Sequence, residues 1–130
     1  MTRAMFATLL SVAAGGAIGA SLRYLSNVAV GRVIGHGFPW GTMTVNVLGS
    51  FLMGALVVTL ARKGGHAALA PFLMTGVLGG FTTFSAFSLD AFTLYERGQA
   101  GAAGAYVLAS VLLSLAAIVV GVLVTRAVLA

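Results

Sequence analysis

Four long apolar stretches, residues 4–30, 41–61, 69–94 and 100–125, take up most of this sequence. Each holds the ~20 mainly apolar residues that a helix needs to cross the hydrocarbon core of a bilayer. Short polar breaks separate them. The first contains Arg32, Gly35, His36, Gly37 and Pro39, the second is Arg62-Lys63-Gly64-Gly65-His66, and the third is Glu96-Arg97-Gly98-Gln99. Connections this short predict antiparallel neighbours. The pattern therefore makes residues 1–130 one all-α membrane unit of four transmembrane helices, with His36 and His66 in loops. The N-terminus has the outline of a leader, with Arg3 before the apolar residues 5–14 and the small residues Ala17-Ile18-Gly19. A cleaved leader does not need the apolar run that continues to Val30, so this stretch reads as the first span.

Composition narrows the class. The chain is 60% hydrophobic and 7% charged, with a mean hydropathy of +1.10, whereas a soluble domain is about a quarter charged. A water-soluble enzyme and a disordered tail are both excluded. The formal charge of +5 would suggest nucleic acid in a soluble protein. Here the basic residues form no run or stripe and read as loop anchors, so no nucleic-acid partner is expected. The absence of cysteine removes disulfide, thiol and cysteine–metal chemistry.

Charge also bears on orientation. Four spans put Arg3, Arg62, Lys63 and Arg126 on one side, against Arg23, Arg32 and Arg97 on the other. The positive-inside rule needs a clear excess to choose a side. Near balance predicts dual topology, with copies inserted both ways, and an antiparallel homodimer as the natural assembly. The alternative is a weak bias to one orientation.

Polar residues inside a span are costly and mark either a pathway or a packing contact. Arg23 lies within the first stretch, with Gly19 and Asn27 one turn away on either side; it fits an anion vestibule or an arginine snorkelling to the interface. Gly15, Gly16, Gly19 and Ala20 give small-xxx-small spacings such as Gly16 to Ala20, which favour close helix packing. The second span starts at Pro39-Trp40-Gly41-Thr42 and stacks Thr42, Asn46 and Ser50 on one face, where Asn46 could be interhelical glue or a pore residue. In the third span, Gly76, Gly79 and Gly80 precede Phe81-Thr82-Thr83-Phe84-Ser85-Ala86-Phe87-Ser88. Glycines followed by β-branched and hydroxyl residues make poor helix, so this helix should break at mid-membrane and expose carbonyls and N–H groups. The alternative is a continuous helix whose hydroxyls bond back to the preceding turn. On the fourth span, Tyr106, Ser110 and Ser114 share a face and form either a polar track or packing contacts.

No buried carboxylate pair or histidine cluster offers acid–base or metal chemistry, so the chain is not read as an enzyme. Hydroxyls, one amide, a lone arginine and phenylalanine edges carrying partial positive charge favour a small anion over a cation, whose path would normally show carboxylate rings. This does not choose between fluoride, chloride and a neutral solute.

Three motifs carry a family resemblance. They are Gly15-Gly16-Ala17-Ile18-Gly19-Ala20 with Arg23-Tyr24, Pro39-Trp40-Gly41-Thr42-Met43-Thr44-Val45-Asn46 with Gly49, and Gly76-Val77-Leu78-Gly79-Gly80-Phe81-Thr82-Thr83-Phe84-Ser85. With these the whole chain resembles the CrcB/Fluc family of fluoride channels. The resemblance implies a passive, fluoride-selective channel of the cell membrane that exports fluoride and relieves its toxicity. It further implies an antiparallel self-dimer in membrane lipid, with two pores built from both subunits. By that match Phe84 and Phe87 face fluoride with their ring edges, Asn46 is the pore asparagine, and Tyr106, Ser110 and Ser114 form the polar track. Thr83 and Ser85 are hydroxyls at the break, and Arg23 sits near the vestibule. The backbone carbonyls of Gly79 and Thr82 hold a structural sodium ion (Na+) on the dimer axis. Ala86 stands where the family usually has threonine, and Asp90 where glutamate is common. A small multidrug exporter shares the size and topology, but its proton coupling needs a carboxylate in the first span, which this chain lacks. A non-transporting scaffold would explain the glycines but not the hydroxyl track together with the break.

Overall fold

The computed structural model describes residues 1–64 and 68–130; His66, read above as a loop histidine, lies outside them. Helix α1 (Arg3–Ile34) is capped by Thr2, whose hydroxyl accepts the Met5 N–H at 3.1 Å. It runs past Val30 and stops at Gly35, whose φ of 100° suits a residue without a Cβ. Helices α2 (Trp40–Lys63) and the last helix (Ala100–Val128) are continuous.

The third span, Pro71–Glu96, is composite. Pro71–Leu78 winds as a π-helix, and Gly79–Phe81 forms a single α-turn, α3. Thr82 and Thr83 are then extended, with φ, ψ of −88°, 157° and −155°, 118°. Helix α4 (Phe84–Glu96) resumes from there, and α5 (Ala100–Val128) follows. The break thus falls inside the glycine- and hydroxyl-rich stretch. Thr82 Oγ1 and Ser88 Oγ do bond back to the Leu78 and Phe84 carbonyls, at 2.9 and 3.0 Å, but Thr82 and Thr83 themselves are extended. The continuous-helix alternative therefore fails. The π segment was not foreseen; its periodicity differs too little from an α-helix over eight residues to show in an apolar pattern.

Apolar surface gains little by leaving lipid for another helix, so membrane helices associate through close backbone approach and hydrogen bonds. Gly15 and Gly19 of α1 meet the first half of the third span in this way. A Cβ at Gly15 would lie 2.5 Å from the Phe72 carbonyl oxygen, and one at Gly19 would strike the Val77 carbonyl. Gly80 returns the contact, its missing Cβ falling 2.8 Å from the Gly16 carbonyl oxygen. A Cβ at Gly16 itself would meet nothing, so the tight seam follows Gly15 and Gly19, one residue off the Gly16–Ala20 spacing. Helices α2 and α5 form the most extensive helix pair.

Arg62 Nη1 donates to the Leu129 carbonyl at 2.5 Å, which brings the C-terminal ends of α2 and α5 to one side, as four alternating spans require. A small core of Met43, Phe87, Leu94, Ala103 and Tyr106 joins α2, α4 and α5. Around it Leu108, Leu112, Leu115 and many other large apolar side chains are exposed. Such a surface suits hydrocarbon, and the four apolar helices make this a multi-pass membrane protein.

Candidate functional site

A side chain from α2 holds the break. Asn46 Nδ2 donates to the Thr83 carbonyl at 3.0 Å, and Asn46 Oδ1 accepts the Thr83 N–H at 2.7 Å. One amide thereby satisfies both backbone groups of a residue that has left the helix, in a medium where an unpaired backbone group costs several kcal/mol. Thr83 then caps α4, its hydroxyl accepting the Ala86 N–H at 3.2 Å. That hydroxyl also lies 3.3 Å from Ser85 Oγ.

Upstream of the break, Arg23 Nε donates to the Gly80 carbonyl at 3.0 Å. A guanidinium at the C-terminal end of a short helical segment meets both an orphan carbonyl and the negative end of the backbone dipole. In an unbroken helix the carbonyls of Gly79 and Thr82 would receive the N–H groups of Thr83 and Ala86. Here the first of those donors goes to Asn46 and the second to the Thr83 hydroxyl.

Beside the break lies an open cleft of about 370 Å³ between α2, α4 and α5. Asn46, Thr82, Thr83, Phe84, Phe87, Ser110 and Ser114 all reach it. Phe84 and Phe87 face one another with centroids 5.3 Å apart at 52°. Their exposures differ sharply: Phe84 is 78% exposed and Phe87 only 8%. Ser110 is buried on the floor of this cleft, and its Oγ has no hydrogen-bond partner among the described residues. Ser50, which sequence reading placed on the Thr42–Asn46 face without a further role, also lines it and donates to the Asn46 carbonyl at 2.7 Å.

A second cavity, of about 400 Å³, opens beside the α1–α2 connection and the C-terminal end of α4. Asn27, His36, Thr42, Asp90, Thr93 and Arg97 supply its polar lining. The two cavities share the same helices. Thr42 lines this chamber and Asn46, one turn on, lines the cleft; Ala86 lines the chamber and Phe87 the cleft. Tyr106 touches both walls. It is fully buried, its ring stacks at 5.3 Å and 41° on Phe87, and its hydroxyl donates to Asp90 Oδ2 at 3.1 Å. The Tyr106, Ser110 and Ser114 face therefore divides, with the serines in the cleft and the tyrosine behind Phe87. Arg23, Gly79, Ser85 and Tyr106 are not among the residues lining either cavity. The chamber was invisible in the spacing of residues. Its one sequence signal is topological: in a four-span chain the loops holding His36 and Arg97 share a side.

No ionisable side chain lines the cleft among the described residues. What it offers is hydroxyl and ring-edge hydrogen, a surface that can replace part of the hydration of a small anion. Residues 10–122 match the family profile described as "CrcB-like protein, Camphor Resistance (CrcB)". A fluoride-specific ion channel FluC of Cereibacter sphaeroides is 66% identical over 122 residues, which cover 94% of this chain and 97% of the relative. The FluC of a Ruegeria species is 59% identical over 126 residues, 96% and 99% of the two chains. That of Paracoccus denitrificans is 56% identical over 119 residues, 92% and 94%. With near full-length identity at that level and a profile match through all four spans, this chain belongs to the CrcB-like family.

Proposed function

We propose that this chain is a subunit of a passive, fluoride-selective channel of the cell membrane that lets fluoride out and so relieves its toxicity. The observation that carries this reading is the Ser110 hydroxyl, buried with no partner among the described residues in a cleft walled by Phe84, Phe87 and Asn46. A buried donor left unpaired costs about 1–3 kcal/mol, and a permeating anion would recover that cost. Fluoride as the anion follows the names of the relatives. Passive transport follows from a cleft without a titratable group for proton coupling.

The working unit is an antiparallel homodimer with two pores. The cleft of one subunit lies open, and Phe84 at its rim is 78% exposed. A second copy would close that side and give the ring a dry neighbour. The family resemblance points to the carbonyls of Gly79 and Thr82, and the diversion of their helical donors leaves oxygens that suit a hard cation. Sodium held there would supply a fixed positive charge on the dimer axis, and Arg23 at the Gly80 carbonyl would keep the same short helical end in place. The test is efflux from liposomes holding the purified protein, with chloride as comparison. Fluoride should leave down its gradient without protons or nucleotide while chloride stays; equal efflux of both ions would overturn the reading.

A further inference from the structure

His36 lines the chamber together with Asp90 and Arg97 and takes no part in the cleft or the break. Its ring lies against the last turns of α1, where a Cβ added to Gly31 would fall 2.5 Å from the imidazole Cε1. The glycine thus makes room for the ring. From α1 the chamber receives Asn27 and Gly31, from α2 Trp40 and Thr42, and from α4 and its cap Asp90, Thr93 and Arg97. Arg32, next to Gly31 on the last turn of α1, is exposed and not part of the lining. The formal charges that face the chamber are therefore Asp90 and Arg97, which cancel, and Asp90 is already held by the Tyr106 hydroxyl. Neutral His36 leaves the chamber balanced. Protonated His36 makes it net positive.

We propose that His36 sets the charge of this chamber and that its protonation draws the permeating anion to the mouth of the path. The proposal rests on the channel reading, because the chamber matters only if the anion must pass Thr42, Ala86 and Phe87 to reach the cleft. Imidazole is the side chain that ordinarily changes charge between about pH 5 and 8. A mouth of one sign with low-dielectric walls raises local counter-ion concentration and entry rate by tenfold or more. One added charge at an exposed, screened ring should fall short of that range, at about threefold. Salt should weaken it, since exposed charges are screened over about 8 Å at physiological ionic strength.

The experiment is valinomycin-coupled fluoride efflux from liposomes, with equal pH on both sides, low fluoride, and the leak of protein-free vesicles subtracted to remove hydrogen fluoride. Flux through the unaltered protein should be about threefold higher at about pH 5.5 than at about pH 8. His36→Gln should stay flat at the slower rate, and His36→Arg flat at the faster one. In about 0.5 M impermeant salt the three proteins should converge. A His36→Gln protein that keeps the original pH slope overturns the proposal, as does fast, pH-independent flux in both the unaltered protein and His36→Gln. Absence of fluoride flux at every pH would instead overturn the channel reading itself.

Discussion

At the scale of residues, Asn46 takes the first of the two roles its sequence context left as alternatives, glue or pore residue. It is glue, because its amide pairs with both backbone groups of Thr83, and it also lines the cleft that this pairing helps to shape. The aromatic pair allows a sharper test. An aromatic pair gains about 0.5–1.5 kcal/mol from ring-edge electrostatics; if an anion gains as much from a ring edge, removing one from its path should slow flux by up to about tenfold. Phe84→Ile and Phe87→Ile keep bulk but lose that edge. Phe81 is buried and lies outside both cavities, so Phe81→Ile should cost stability, about 1–2 kcal/mol, with much less loss of flux per folded protein. Fluoride efflux of the three variants at equal reconstituted amounts decides it. Equal losses would mean that the rings act by packing alone.

Elements are joined here by absent side chains. Gly19→Ala would drive a methyl into the Val77 carbonyl, a backbone atom that cannot swing aside, whereas Gly16→Ala points into open space within the subunit. The first should therefore destabilise by about 1–3 kcal/mol and the second by far less, read as the midpoint of thermal unfolding in detergent. Similar midpoints for the two would mean that α1 does not rest on this seam. The break supports a second prediction at this scale. If the Gly79 and Thr82 carbonyls hold sodium, Thr82→Val removes only a hydroxyl that bonds back to Leu78 and should leave sodium affinity unchanged. Loss of sodium binding in Thr82→Val, or in Asp90→Asn, would move the site to a side chain.

For the whole molecule, the four-against-three distribution of basic residues predicts both orientations in one membrane. Two or three lysines added after Arg126 should impose a single orientation and abolish fluoride efflux from cells that make only that variant. A variant biased the other way, made in the same cell, should restore it. Full activity of the lysine variant alone would show that parallel or single subunits suffice. The open cleft gives this a structural stake, since its exposed Phe84 is the surface that a reversed copy would cover.

Much of this was legible in the chain. Spans of about twenty apolar residues need no tertiary contact to be recognised, because the bilayer's thickness sets their length. The break was legible too, since glycines and β-branched hydroxyl residues weaken a helix locally. Polarity and spacing along a helix, which are local facts, could nominate Asn46, Ser110 and Ser114, while Phe84 and Phe87 were implied by the family resemblance. Which of them meet was decided only in three dimensions. The pairing of Asn46 with Thr83 spans 37 residues and that of Arg23 with Gly80 spans 57, and no helical period reaches so far. The same holds for Tyr106, nominated with the serines on one face yet turned to Phe87 and Asp90, and for the chamber assembled from His36, Asp90 and Arg97. A helix's own sequence states which residues share a face; the neighbour that face receives is set by how whole helices dock.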